Sequence, residues 1–332
     1  MNKPLVSIIM TTYNPVEEYF KIAIESIVRQ THTAWELIIV DDGSDKDLYA
    51  IIDSFGDDRI IYKRCDVNRG ISACANDAIA MAKGDFLAKM DDDDIAREYW
   101  LEKMLQYFNA NREVNVLGCA VELTGTKEGV INPKIAGSRE KQQADLLLQN
   151  AAFPHPFFMV RKEFWDQTNM AYNTKYRSSV DYALWVEMIR YTKFHVYAEI
   201  MGIYRRHMKQ ISTKTYSQQQ NFADEVRWSQ LRRIGIEPSE EQKLLHNKLC
   251  KIAELETDEL RKMDAWVALM KCKNKEAHYF DIKALKNTLH QRAATLYLRY
   301  FGKTHDVRGI MYFVRYATVQ NLCNGVNKIF SR

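Results

Sequence analysis

The feature that most constrains this chain is a repeated local pattern in its first 95 residues. Short β-rich apolar runs are each followed by a polar cluster and then by an amphipathic stretch. Val6–Thr11 is continuously apolar and β-branched up to its closing threonine, as expected of a strand buried on both faces. Glu36–Val40 reads as a second strand, Arg59–Tyr62 as the start of a third and Asp85–Met90 as a fourth. Between them, Phe20, Ile24, Ile27 and Val28 keep helical spacing after Asn14-Pro15, which reads as a cap and first turn. Residues 71–83 form an Ala-rich helix closed by Gly84, and a further helix is expected over about 96–110. Strand–helix alternation of this kind specifies an α/β fold with a mostly parallel sheet and right-handed crossovers.

The polar clusters fall where such a sheet binds ligands. Thr11-Thr12-Tyr13-Asn14 follows the first strand, Asp41-Asp42-Gly43-Ser44 the second, and Asp91-Asp92-Asp93-Asp94 the fourth. The carboxyl ends of parallel strands line one crevice. One acidic pair after a strand is as readily a helix cap as a site, but three clusters on one edge are not explained that way. Four consecutive aspartates repel one another, and burial would raise their pKa values. A hard divalent cation such as Mg²⁺ or Mn²⁺, shared with ligand phosphates, removes that cost. No GxxxxGK[ST] and no GxGxxG after the first strand is present, which disfavours P-loop and dinucleotide-dehydrogenase readings.

The rest of the chain bounds the class. With 46% hydrophobic and 27% charged residues among 332, a sizeable core is available and wholesale disorder is excluded. No apolar run reaches transmembrane length, and the N-terminus does not read as a signal peptide. The six cysteines form no CxxC pair and read as reduced thiols of a cytosolic protein. Residues 126–215 look irregular apart from a helix at about 182–192, and from about 216 the pattern is helical, with helices near 239–256, 257–272 and 283–300. Residues 283–332 hold nine Lys or Arg and only Asp306 as an acid, so the segment is +8 within a chain of net +4. Aromatic and aliphatic residues interleave with these charges (Leu296, Tyr297, Tyr300, Phe301, Ile310, Met311, Phe313, Val314), as on a helix that lies on an anionic membrane. A helix that merely covers the protein's own surface is the plainer reading of the same segment.

The stretch VSIIMTTYN, then SIVRQTHTAWELIIVDDGSDKD, then NRGISACANDAIAMAKGDFLAKMDDDDIA resembles the bacterial family 2 inverting glycosyltransferases. The resemblance covers about residues 4–210 and is densest in the first 100. It implies an A-type glycosyltransferase fold, Rossmann-like in its nucleotide-binding half, with a helical C-terminal extension. Residues 1–215 would be the catalytic domain (1–110 for the nucleotide-sugar, 111–215 for the acceptor) and 216–332 the helical region, basic and amphipathic from about 283. The donor would be a nucleotide-sugar, usually a UDP-sugar. By position, Thr11 and Tyr13 would hold and stack on the base, Asp42 would accept from uracil N3–H, and Arg69 would touch the nucleotide. Asp91 and Asp92 would reach the ribose side, and Asp93 would bind Mn²⁺ or Mg²⁺; Asp94 is equally a helix cap. The catalytic base would be Asp181 in Ser179-Val180-Asp181-Tyr182, where the acid that usually precedes it is replaced by Val180. As an N-cap for helix 182–192 it would have a purely structural role. His207, in Tyr204-Arg205-Arg206-His207, is a metal or diphosphate ligand candidate, and His155 and Trp185 are acceptor-side candidates; aromatics near 165 and 185 could stack on sugar rings.

The implied reaction is metal-dependent inverting transfer to a lipid-linked or glycan acceptor in surface polysaccharide synthesis, at the cytoplasmic face of the plasma membrane. The C-terminal helices would dock there as a peripheral membrane anchor, and could also pair two copies into a homodimer. A nucleotidyltransferase would also use aspartates and Mg²⁺ but wants a Gly-rich, Lys-bearing phosphate loop, which TTYNPVEEY lacks. A nucleic-acid-binding module is disfavoured, because the chain outside the basic tail is net acidic.

Overall fold

The structure, a computed structural model, describes residues 3–207 and 216–317. The chain divides into two compact units. The first comprises residues 1–136 and 152–223, and the second residues 137–151 and 224–332.

The first unit is built on one nine-stranded sheet. Its parallel half holds β1 (Val6–Thr12), β2 (Trp35–Asp41), β3 (Ile60–Arg64) and β4 (Phe86–Asp91), ordered β3-β2-β1-β4. All seven residues of β1 and of β2 are buried, so neither strand alternates; their interior polar residues, Ser7 and Glu36, hydrogen-bond to each other at 2.6 Å. Helices α1 (Glu17–Val28), α2 (Tyr49–Asp53), α3 (Ile71–Met81) and α4 (Trp100–Ala110) connect these strands or follow them. Phe20, Ile24 and Ile27 of α1, with Trp100, Met104 and Phe108 of α4, pack into the core around β1 and β4.

The mixed half was harder to read. The short β5 (Ile95–Ala96), β6 (Val116–Gly125), β7 (Gly129–Ile131), β8 (Met159–Arg161) and the 13-residue β9 (Phe194–Arg206) complete the sheet. β8 runs antiparallel to β4 and to β6, and β9 runs parallel to β6. β9 carries Glu199 and Gly202 and is mostly half-exposed, so it gives no clean period-2 signal. Two short helices of this unit, α6 (Lys162–Gln167) and α7 (Val180–Met188), flank the loops that follow β8.

The second unit is helical: α5 (Arg139–Leu146), α9 (Glu240–Lys251), α10 (Glu259–Ala277), α11 (Ile282–Thr304) and α12 (Val307–Tyr316), with α8 (Tyr216–Arg233) containing the boundary at 223. Four of these helices start at side-chain caps, Ser138, Ser239, Asp281 and Asp306, the second forming a full capping box with Gln242. Residues 137–151, grouped by sequence with the acceptor half, pack here instead, because Leu147 and Leu148 enter this unit's core and Thr288 donates to Asp145 at 2.8 Å. α11 spends its apolar face on the same core, through Leu285, Leu289, Leu296, Tyr297 and Tyr300. The apolar residues that sequence placed on a membrane-facing surface at 296–300 are therefore interior.

Candidate active site

Register alone assembles the floor of the site. Thr11 pairs with Asp91 across β1–β4 and Thr12 with Asp41 across β1–β2, so all three strands end level with one another. What each polar cluster does beyond that point differs.

The first aspartate of Asp41-Asp42-Gly43-Ser44 is structural. Asp41 is fully buried and accepts from the Ser44 amide (2.9 Å), the Ser44 hydroxyl (2.6 Å) and Tyr62 OH (2.9 Å). This closes a tight turn in which Gly43 sits at φ +78°, and an added Cβ there would lie 3.0 Å from the Val67 carbonyl carbon. The Ser44 hydroxyl accepts from the Asn14 amide at 2.8 Å, and the Asn14 side chain donates to the Asp45 carboxylate and accepts from the Asp45 backbone amide. Asn14 therefore does not cap α1: at φ 48° its side chain ties the loop after β1 to the loop after β2. Tyr13, next to it, is 47% exposed and presents a free aromatic face.

Asp42 is held in a fixed orientation. Its carboxylate accepts from the backbone amides of Arg69 (2.6 Å) and Gly70 (2.8 Å) and from the Cys74 thiol (3.1 Å). Three donors leave one acceptor position on Oδ2, since a carboxylate offers roughly four. Gly70, at φ +93°, makes the left-handed turn that aims both amides at Asp42 and starts α3. The Arg69 guanidinium is engaged with Asp77, so in this state its backbone and not its side chain faces Asp42. α3 also fixes the loop that leads to α7. Asn76 exchanges two hydrogen bonds with the Tyr172 backbone (2.8 and 2.9 Å), and the Ser72 hydroxyl donates to the Tyr176 carbonyl at 3.1 Å.

The four aspartates after β4 divide by environment. Lys89, 1% exposed inside β4, places its ammonium 2.5 Å from Asp91 and 2.7 Å from the Met90 carbonyl. Burial would raise Asp91, but the Lys89 charge and hydrogen bond hold it below the usual carboxylate range. Asp92 accepts from the Thr12 hydroxyl, yet burial, with Asp93 and Asp91 beside it, pushes it up to about 7. Asp94, fully buried, accepts from the Arg205 amide at 2.8 Å, and burial with the charges of Asp93 and Asp91 raises it well above an ordinary carboxyl. It caps no helix, because α4 begins only at Trp100. The fixed role seen for it is to hold the end of β9.

Asp93 and His207 come together from opposite ends of the domain's sequence. His207 Nε2 lies 2.8 Å from Asp93 Oδ2, Arg205 Nε donates to the Asp93 carbonyl (2.8 Å), and Arg205 lies over the Tyr19 ring at 4.0 Å. A carboxylate oxygen and an imidazole nitrogen 2.8 Å apart match the edge between adjacent ligands of an octahedral cation, about 3.0 Å for bonds of about 2.1 Å. A carboxylate and an imidazole are both donors to divalent cations, so the two residues fit such an ion.

The acceptor-side candidates separate. His155 bonds to Tyr172 OH at 2.8 Å. Burial, and secondarily Lys89, push it down to about 4 against the pull of Asp91 and Asp181, which leaves a neutral imidazole. Trp185 is fully buried among Phe153, Phe158 and Phe194, so it is core and cannot stack on a sugar ring; Trp165, 3% exposed, is core as well. Asp181 sits in the first turn of α7 and is not its cap, since the helix starts at Val180 after Ser179 in a left-handed turn. Its charge, with that of Asp91, reaches both His155 and Tyr172. The residues that sequence reasoning passed over are Lys89, Tyr19 and Asn76. Of these, Lys89 carried a signal: a cation inside an otherwise apolar strand.

Residues 7–168 match the family model for glycosyl transferase family 2. The chain is 33% identical over 210 residues to an uncharacterised glycosyltransferase of Methanocaldococcus jannaschii, covering 62% of this chain and 72% of that protein. It is 29% identical over 194 residues to TuaG of Bacillus subtilis, named for teichuronic acid biosynthesis, covering 57% of this chain and 73% of TuaG. Among solved structures, TarS of S. aureus in complex with UDP-GlcNAc aligns over 94% of this chain and 89% of that one, with a TM-score of 0.59 at 12% identity, a likeness of fold. With its strand-end aspartates and its sheet in the arrangement described, this chain is a glycosyltransferase and belongs to family 2.

Proposed function

We propose that the enzyme transfers a sugar, with inversion, from a UDP-sugar to a lipid-linked or glycan acceptor in surface polysaccharide synthesis, and that it needs Mn²⁺ or Mg²⁺. The observation that carries the donor reading is Asp42, buried and locked by two backbone amides with one acceptor position left for an imide N–H. Tyr13 beside it offers a ring for stacking and Thr11 a hydroxyl at the strand end. Asp91, kept ionised by Lys89, and Asp92 would face the ribose side. Asp93 and His207 would hold the cation, whose contribution is to neutralise charge on the departing diphosphate. Asp181 would take the acceptor proton, while His155, neutral and tied to Tyr172, lines the acceptor side. In this reading residues 1–110 serve the donor and the remaining strands of the sheet unit serve the acceptor.

Released UDP, measured with candidate UDP-sugars and an acceptor, tests the reading. Release is expected with Mn²⁺ or Mg²⁺ and is expected to fall at least tenfold in chelator. Release of pyrophosphate in place of UDP would indicate nucleotidyl transfer and overturn it.

No described helix is long and apolar enough to cross a membrane. Docking at the inner leaflet therefore falls to α12. Val307, Met311 and Val314 are 69%, 71% and 62% exposed along one stripe, flanked by Arg308 and Arg315, which lean on Asp306 and Asp264. The residues after 317, which complete the basic segment, lie outside the described ones. Replacing the three apolar residues by serine is expected to weaken binding to anionic vesicles by at least about 30-fold, from about 2 kcal/mol of lost apolar burial. Unchanged co-sedimentation would remove α12 as the anchor.

A further inference from the structure

The structure brings together a cluster that the cysteine spacing hides. Asp42 follows β2, Cys65 follows β3, and Cys74 lies in α3. The β2–β3 register pairs Asp41 with Arg64, and the Cys65 amide donates to the Asp41 carbonyl at 2.8 Å, which sets Cys65 level with Asp42. The first turns of α3 then lower Cys74 onto both. Cys74 Sγ is 3.1 Å from Asp42 Oδ1 and 4.0 Å from Cys65 Sγ, and one ligand atom from each residue lies within 4.8 Å of the others. All three side chains are buried.

These spacings are those of a coordination shell. For bonds of about 2.3 Å to sulfur and 2.0–2.2 Å to oxygen, a tetrahedral ion spans about 3.8 Å between sulfurs and about 3.5 Å between sulfur and oxygen. The observed 4.0 and 3.1 Å differ from those edges by about 0.2–0.4 Å, a shift that side-chain rotation supplies. Two sulfurs and one carboxylate select a borderline or soft ion and not the hard cation suited to Asp93 and His207. The Arg69 guanidinium donates to Cys65 Sγ at 3.3 Å.

We propose that Asp42, Cys65 and Cys74 form a second, thiophilic divalent-cation site, of the Zn²⁺ class, which when filled excludes the donor nucleotide. Binding replaces the Cys74 S–H···Asp42 hydrogen bond and the Cys65 S–H with two metal–sulfur bonds, and both protons pass to solvent. The ion's positive charge on Asp42 Oδ1 also opposes an incoming imide N–H at the position left on Oδ2, with the carboxylate still held by the Arg69 and Gly70 amides. That exclusion rests on the reading of Asp42 as the base acceptor; the site itself does not.

The experiment uses full-length protein with Cys272 and Cys323 replaced by serine, kept under a non-thiol reductant and saturating Mg²⁺. Cd²⁺ is the probe, read by its ultraviolet thiolate charge-transfer absorption. One equivalent is expected to bind and to lower UDP affinity at least tenfold. Cys65→Ser and Cys74→Ser are each expected to abolish the absorption and to make UDP binding indifferent to Cd²⁺. Absorption that survives in both variants overturns the site, and unchanged UDP affinity with Cd²⁺ bound overturns the exclusion. Should Cys74→Ser fail to fold, Cys65→Ser alone decides. Asp42→Asn, measured without Cd²⁺, judges the base reading separately: full UDP affinity in that variant sinks the reading and leaves the cation site to the absorption data.

Discussion

Asp181→Asn is expected to lower kcat for sugar transfer about 10³-fold while leaving the Kd for UDP within twofold. The magnitude is that of removing a general base. The split between chemistry and binding follows from where the residue stands. Asp181 lies on α7, whereas the proposed donor contacts come from β1, β2, β4 and the turn before α3. Its charge acts on His155 and Tyr172, the groups of the proposed acceptor side. Asparagine keeps the shape and cannot accept the proton. Full transfer by this variant, or parallel loss of UDP binding, would remove Asp181 as the base. Isothermal titration with UDP and a coupled assay of its release measure the two quantities independently.

Lys89→Met is expected to lower stability by about 3 kcal/mol at neutral pH, because removing one partner of a buried pair leaves the other charge uncompensated. The penalty should depend on pH in a definite direction. In the native protein Lys89 holds Asp91 below its ordinary value, so Asp91 contributes stability that is present above about pH 3.9, its unfolded value, and is lost as pH falls through the folded value. In the variant burial, which raises Asp91, is opposed by His155 alone. Asp91 then opposes folding increasingly as pH climbs. The difference in Tm between the two proteins should therefore be smallest near about pH 4 and largest near about pH 7–8. A constant difference across that range would mean that Lys89 acts through packing alone. The same variant should lose UDP affinity, since Asp91, protonated or displaced, no longer presents an ionised oxygen at the end of β4.

Much of this was readable because it is local. Continuous apolar runs ending in Thr11, Asp41 and Asp91 announced strands buried on both faces, and the ladder registers set those ends side by side as the parallel pattern required. The helices over 71–81, 100–110, 180–188 and 282–304 followed from 3.6-residue spacing to within a few residues, whereas α2, α5, α6 and α12 did not. The errors arose where one residue type serves two purposes. Asn14 before Pro15 is a helix cap by habit and a loop clasp in fact, since Asp45 lies within reach only after β2 is in place. Trp185 is an aromatic in the right half of the domain, and only packing against Phe153, Phe158 and Phe194 shows that no sugar can touch it. β9 escaped notice because a mostly half-exposed strand with Glu199 and Gly202 has no period to detect.

By itself the sequence determined the sheet's parallel half, the edge on which polar groups gather and the family of the enzyme, because those depend on neighbours one to four residues apart. Tertiary structure alone decided which aspartates are scaffold and which are presented. Asp41 is consumed by Ser44 and Tyr62, Asp94 Oδ1 is taken by the Arg205 amide, Asp42 keeps one acceptor position, and Asp93 meets His207 across more than a hundred residues. It likewise set two cysteines nine positions apart against one carboxylate. A carboxylate's role is fixed by the donors around it and by how much water it has lost, and neither is encoded within a few residues of the aspartate itself.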